Sequence, residues 1–228
     1  MPEADDVGTA GGGFGLRGLV VDWGGVLTGD LRGAVTKWAQ DDGIDLDAYF
    51  AVMRDWLGEP MGLEARFNPV HALERGEMEV PDFERRLAGA LSDRTGRHYE
   101  SDGLLARMFA SFEHAHDMSA LVRRAREAGV RTALLSNSWG NDYPRDGWDD
   151  MFDVVVISGE VGLRKPEPEI FTLTLERLGL AAQECVFVDD LPHNVAAAVA
   201  LGLVGIRHES YEVTAAEIDV LFGLTLSA

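Results

Sequence analysis

Apolar and polar positions along the chain fall into two regimes. Leu19, Val20 and Val21 run together into Asp22, and Gly24 and Gly25 follow at once. A short apolar run bounded by glycine reads as a buried strand, here residues 16–22. From residue 30 to about 115 the apolar positions take helical spacing instead: Val35, Trp38 and Ala39, then Leu46, Tyr49, Phe50, Met53 and Leu57. Gly58-Glu59-Pro60-Met61-Gly62 punctuates the pattern. Asn68-Pro69 opens a helix through Val70, Leu73 and Glu74, and Pro81 opens another with Phe83, Leu87 and Leu91. A last one surrounds Leu104, Leu105, Met108, Phe109 and Phe112. Nothing in this block reads as a strand.

Beyond residue 116 strands and helices alternate. A helix over 118–128 stops at Gly129, and a strand over 130–135 ends in Ser136-Asn137-Ser138. A strand over 152–157 is followed by a helix over 167–178 that stops at Gly179. A strand over 185–188 ends in Asp189-Asp190, a helix covers 195–201 up to Gly202, and 203–206 is a last strand. This alternation predicts an α/β core with a mostly parallel sheet and helices on both faces. The helical stretch splits that core directly after the strand that carries Asp22. It is expected to lie over the sheet's carboxyl edge as a lid that excludes water.

The 228 residues carry a formal charge of −19, which argues against nucleic acid or an anionic membrane as partner. Cys185 is the one cysteine, so no internal disulfide forms and a reducing compartment is expected. The segment 1–14 is acidic and then glycine-rich, with neither the basic start nor the apolar core of a signal peptide. It reads as a flexible tail, and the expected location is cytoplasmic. Lys37 and Lys165 are the only lysines.

Parallel strands bring their carboxyl ends to one edge, so Asp22, Ser136-Asn137 and Asp189-Asp190 are expected to converge there. Lys165 joins them from the loop Gly162-Leu163-Arg164-Lys165-Pro166-Glu167-Pro168, stiffened by its prolines. On its own, Asp22 equally reads as a cap on the turn that follows it. Acids gathered this closely repel unless a cation neutralises them, and hard oxygen ligands suit Mg²⁺. Asp22 then has the placing of a nucleophile toward phosphorus. Lys165 and the Ser136 hydroxyl would hold the transferring oxygens, and Asp189 and Asp190 the metal.

At these residues the chain resembles the haloacid dehalogenase-like hydrolases with a helical cap of the first type. Val20-Val21-Asp22-Trp23-Gly24-Gly25-Val26-Leu27 is similar to the first motif, and Leu134-Leu135-Ser136-Asn137 to the second. Lys165 stands for the third, and Val186 to Asp190 with Asn194 for the fourth. The resemblance implies a Rossmann-like core over 15–29 and 116–228 and a cap domain over 30–115. It implies Mg²⁺ held by Asp22, the carbonyl of Gly24, and Asp190 with or without Asp189. The expected activity is hydrolysis of a small phosphorylated metabolite by a monomer or homodimer. Ser136, Asn137, Lys165 and Trp23 are the expected substrate contacts, and Asp22, Ser136 and Lys165 the catalytic ones.

One departure matters. Most phosphatases of this kind carry a second Asp two residues after the nucleophile, as the acid and base of the reaction. Gly24 stands there and can be neither. Three outcomes stay open: a substrate with a good leaving group, an acid supplied from the cap, or a catalytically weak homologue that binds or regulates. The Asp22-Trp23-Gly24-Gly25 run also resembles the phosphonate-cleaving branch, which uses a cap lysine as a Schiff base; Lys37 would have to serve, against its reading as a surface residue. Haloacid dehalogenation is a further alternative, disfavoured by the Asp189-Asp190 pair.

The remaining candidates have plain readings beside the functional ones. His114, His116 and Asp117 are read as a solvated linker rather than a metal site, because alternate residues on a helix do not face each other. His193 is a loop residue near the metal edge. Trp23 and Trp139 either wall a pocket or fill the core. Arg66 and Asn68 fall in a turn that could meet substrate, and Arg123, Arg124 and Arg126 form a solvated helix face.

Overall fold

The computed structural model describes residues 15–57, 68–140 and 142–227. The expected tail, the glycine-proline break at 58–62 and Arg66 lie outside them. Five strands form one parallel sheet: β1 (Gly18–Val21), β2 (Arg131–Ser136), β3 (Val154–Ile157), β4 (Cys185–Asp189) and β5 (Val204–Arg207), in the order β3-β2-β1-β4-β5. β1 is central, and the order reverses around it, which opens a crevice at the carboxyl ends of β1, β2 and β4. The fold is α/β and Rossmann-like.

Alternation along the strands builds two apolar layers. Leu19, Val21, Leu134, Val186 and Val188 face α6 (His116–Glu127) and the C-terminal helix α10 (Tyr211–Phe222). Val20, Ala133, Leu135, Cys185 and Phe187 face α8 (Pro168–Leu178) and α9 (Pro192–Ala200). Each strand is therefore buried on both faces, which is why its sequence is a continuous apolar run. A four-residue helix, α7 (Ser158–Val161), follows β3.

Residues after β1 form α1 (Leu31–Asp41), α2 (Leu46–Leu57), α3 (Pro69–Glu74), α4 (Val80–Thr95) and α5 (Leu104–Phe109). They surround their own cluster of Trp38, Tyr49, Phe83, Leu87 and Leu91. Asn68 starts α3 as foreseen: its Oδ1 accepts from the amides of Val70 (2.9 Å) and His71 (3.2 Å), with Pro69 behind it. Two strands of chain link this block to the sheet side by side. Gly29 N donates to Glu113 O (2.8 Å) and Ala115 N to Leu27 O (2.9 Å), with Thr28 bridged to His114.

The pattern missed the four-residue α7 and the C-terminal α10, and misplaced several ends. α10 escaped notice because Val213 and Val220 leave apolar side chains on its exposed side. α9 starts at Pro192, so His193 belongs to a helix's first turn and not to a loop. Phe112 and Phe152 lie just outside α5 and β3, in turns that still bury them against the helical block and the sheet. Among the described residues no helix is long and apolar enough to cross a membrane.

Candidate active site

Strand register sets the centre. Val21 pairs with Val188 on one side and Leu134 on the other, so Asp22, one residue on, falls level with Asp189. Its amide still donates to Val188 O at 2.9 Å. The chain then turns tightly, with Leu27 N and Thr28 N donating back to Trp23 O. Gly25 makes this possible: its φ is +71°, and a Cβ there would meet Asp190 Oδ2 at 2.7 Å. Oxygens of Asp22, Asp189 and Asp190 lie within 4.8 Å of one another.

Lys165 closes the group from the β3–α8 loop. Its Nζ donates to Asp189 Oδ2 (2.7 Å) and lies 2.8 Å from Asp22 Oδ1. The lysine side chain is 0% exposed. Burial alone would lower its pKa, but Asp189 and Asp22 together outweigh burial and hold the ammonium charged. Asp189 is saturated. Its Oδ1 also takes the Leu191 amide (2.8 Å), and the Asn194 amide nitrogen reaches both oxygens at 3.1 Å. Asp190 is only partly buried. Burial, with the neighbouring carboxylates, pushes Asp22 up to about 7 and Asp190 to about 6.

At the second strand end Asn137 lines the cavity and Ser136 is covered. The Asn137 side chain is engaged with the Lys165 backbone, donating to its carbonyl (3.0 Å) and accepting from its amide (2.8 Å). It fixes where Lys165 stands. Ser136 is 1% exposed, and its Oγ lies 3.0 Å from the Tyr143 hydroxyl. Burial keeps that phenol protonated, pushed up to about 12. Tyr143 packs edge-on to Trp23 at 5.0 Å and lines the cavity in front of Asp22. Nothing in the sequence marked Tyr143, because it lies in a connection between elements.

The helical block reaches the loop of Lys165 through charge. Arg164 Nε donates to Glu74 Oε2 of α3 at 2.5 Å, and Trp139 Nε1 donates to Glu74 Oε1 at 3.3 Å. Both partners are nearly buried, with Arg164 8% and Glu74 7% exposed. Arg75 pairs with Glu167 beside them. Glu74→Gln would leave a guanidinium in a dry contact and is expected to cost about 3 kcal/mol in urea unfolding. A loss under about 1 kcal/mol, the worth of a surface pair, would contradict that role.

Residues 16–202 match the family model described as haloacid dehalogenase-like hydrolase. The chain belongs to that family. Acyl-CoA dehydrogenase family member 10 of Mus musculus is 37% identical over 114 residues, which are 48% of this chain and 10% of that protein. A sesquiterpene phosphatase of Aspergillus oryzae is 32% identical over 111 residues, 46% of this chain and 56% of that protein. The chain thus spans about a tenth and just over half of these relatives. A HAD family enzyme from Bacteroides thetaiotaomicron, solved in complex with magnesium and inorganic phosphate, shares the fold. Its TM-score is 0.60 at 21% identity, covering 85% of this chain and 94% of that one.

Of the other candidates in this haloacid dehalogenase-like hydrolase, some lie away from the centre and others line the cavity. Lys37 is exposed on Asp41 (2.5 Å), which raises its pKa, the opposite of what a Schiff-base lysine needs. His114 and His116 do approach, with ring centroids 4.9 Å apart, because His114 precedes α6 instead of sharing it. Ser119 Oγ holds His114 Nε2 at 3.0 Å. His193 is exposed at the cavity wall. Trp23 stacks on Phe112 at 6.1 Å and walls the cavity, whereas Trp139 packs on Phe83 at 5.6 Å and also lines it. Arg124 and Arg126 are not merely solvated: Arg124 Nε donates to Leu226 O at 2.5 Å, and Arg126 lies 3.4 Å from Asp153.

Proposed function

We propose that this chain is a magnesium-dependent phosphoric monoester hydrolase that acts through an aspartyl-phosphate on Asp22. Residues 30–115 would serve as its cap domain over a core of 15–29 and 116–228. The observation that carries the reading is the clamp at the strand ends, where one buried ammonium holds Asp22 and Asp189 together while Asp190 stays open. The sesquiterpene phosphatase among the relatives supports it at the level of reaction class.

The donor set fits a hard divalent cation. Three carboxylates converge where one ammonium binds only two of them, and Asp22 and Asp190 carry pKa values raised by burial and by Asp189. Asp22, Asp190 and the Gly24 carbonyl would hold Mg²⁺, while Asp189, already saturated, orients Lys165. The cation would supply charge stabilisation to the phosphoryl oxygens.

The chain's own residues do the rest. A carboxylate oxygen of Asp22 attacks phosphorus as the bond from phosphorus to the substrate's alcohol oxygen breaks. Lys165 balances the charge gathering on the phosphoryl oxygens. The departing oxygen takes its proton from water, since Gly24 offers none. The hydroxide left behind attacks phosphorus, the bond to Asp22 breaks, and inorganic phosphate leaves. The natural ester is a small phosphorylated metabolite. The expected setting is cytoplasmic.

Magnesium affinity is expected to rise with pH. Both acids carry raised folded-state pKa values, so their contribution to stability is full below about 4 and is lost as pH rises through 6 to 7. A cation has to displace those protons and then relieves the repulsion. Thermal unfolding from pH 5 to 8, with Mg²⁺ or a chelator, should show a gap that widens with pH. A gap of constant size would contradict the assignment of Asp22 and Asp190.

A further inference from the structure

A cavity of about 680 Å³ lies between the sheet's carboxyl edge and the helical block, with Asp22 and Lys165 at one end. That volume is in the range of pockets that enclose drug-sized ligands. Leu31 and Val35 of α1, Met108 and Phe109 of α5, and Phe112 and Trp23 from the connections build its walls. All but Met108 are partly exposed, so they present apolar surface to the cavity.

The lysine and arginine side chains described on this lining are engaged. Lys165 is held by Asp22 and Asp189, and Arg164 by Glu74. His71, on α3, is kept neutral by burial and by Arg164 and Arg75. His193 is exposed on the same wall, and the remaining acids are Asp190 beside the nucleophile and the exposed Asp142. A substrate with a carboxylate or a second phosphate would find no free arginine or lysine among the described lining residues. Gly24 extends the smooth wall to the nucleophile, because a Cβ there would have only Leu31 Cδ1 near it, at 3.6 Å.

We infer that the group esterified to the phosphate is an uncharged apolar alcohol, a branched or aromatic hydrocarbon, and not a sugar or an amino acid. This rests on the phosphatase reading and narrows it. Burial of hydrocarbon in this cavity supplies the affinity, and the single phosphate supplies the anchor.

A series of n-alkylphosphonates from methyl to octyl, titrated calorimetrically into the protein with Mg²⁺, tests the cavity without any turnover. Each buried methylene should tighten binding about fourfold over the first several members. Phe112→Ala should reduce that slope, and Val35→Thr provides the same reading where the first variant packs poorly. In parallel, phosphate release is compared for octyl and naphthyl phosphates against glucose 6-phosphate and phosphoserine. A rising series, a slope lowered in either variant, and faster release from the apolar esters are the expected results. A flat series beside Asp22-dependent release would overturn the apolar assignment and leave the phosphatase standing. A rising series untouched by both variants would place the hydrocarbon elsewhere and also overturn it. A rising series with no release from any ester would keep an apolar ligand site but overturn the phosphatase, and the ester assignment with it.

Discussion

Gly24→Asp is expected to raise turnover of alkyl phosphates by about 10²-fold or more, the usual worth of a positioned general acid. The backbone accepts the change. Gly24, unlike Gly25, does not use a positive φ, and its Cβ would meet nothing closer than Leu31 Cδ1 at 3.6 Å. The new carboxyl would stand beside the cavity, where the departing alcohol oxygen needs a proton. Acyl phosphates, whose leaving group needs no proton, should gain little. Gly24→Asn matches the size without the acid and should gain nothing on either class. Steady-state rates on one alkyl and one acyl phosphate decide it. Equal gains on both, or a gain with Asn, would show that proton supply is not what this site lacks.

Lys165→Met is expected to cost about 3–5 kcal/mol of folding stability. The methionine matches the stem, so the loss isolates the charge. Asp189 is fully buried and would keep the Leu191 and Asn194 donors but lose its ammonium. Asp22 would lose the one neighbour that lowers its pKa by charge. Asp22 would then resist ionising still more, so the deficit should shrink at pH 5.5 and grow at pH 8. Asp189→Asn added to Lys165→Met should recover part of the loss. Urea unfolding at the two pH values measures this. A deficit below about 1 kcal/mol, or one independent of pH, would contradict a buried clamp.

The positions of Asp22 and Asp189 were readable because they follow from one rule, whereas Lys165 stood out as one of two lysines, in a loop stiffened by prolines. Parallel strands end together, and each strand announced itself as an apolar run that stops on a polar residue. The helical block was readable from its period and from caps such as Asn68. What was not readable depends on contacts between distant parts of the chain. Glu74 and Arg164 stand 90 positions apart, and each looks like an ordinary surface charge until α3 meets the Lys165 loop. The same limit hid the different surroundings of Asp189 and Asp190. Adjacent residues at a strand end point opposite ways, and only the structure shows one saturated and the other open. Tyr143 sits in a connection, where no period governs position, yet it covers Ser136 and packs on Trp23. The apolar cavity wall draws single residues from α1, α5 and two turns, so no local pattern contains it.

The central assignment is Asp22 as the nucleophile of a magnesium-dependent phosphatase. The most direct test is phosphate release from a panel of alkyl, aryl, acyl and sugar phosphates. It compares the unaltered protein with Asp22→Asn, each with Mg²⁺ and with a chelator. Release should require Mg²⁺ and disappear in Asp22→Asn while the variant stays folded. Release that persists in the variant or ignores the metal, or none from any ester by folded protein with Mg²⁺ bound, would contradict it.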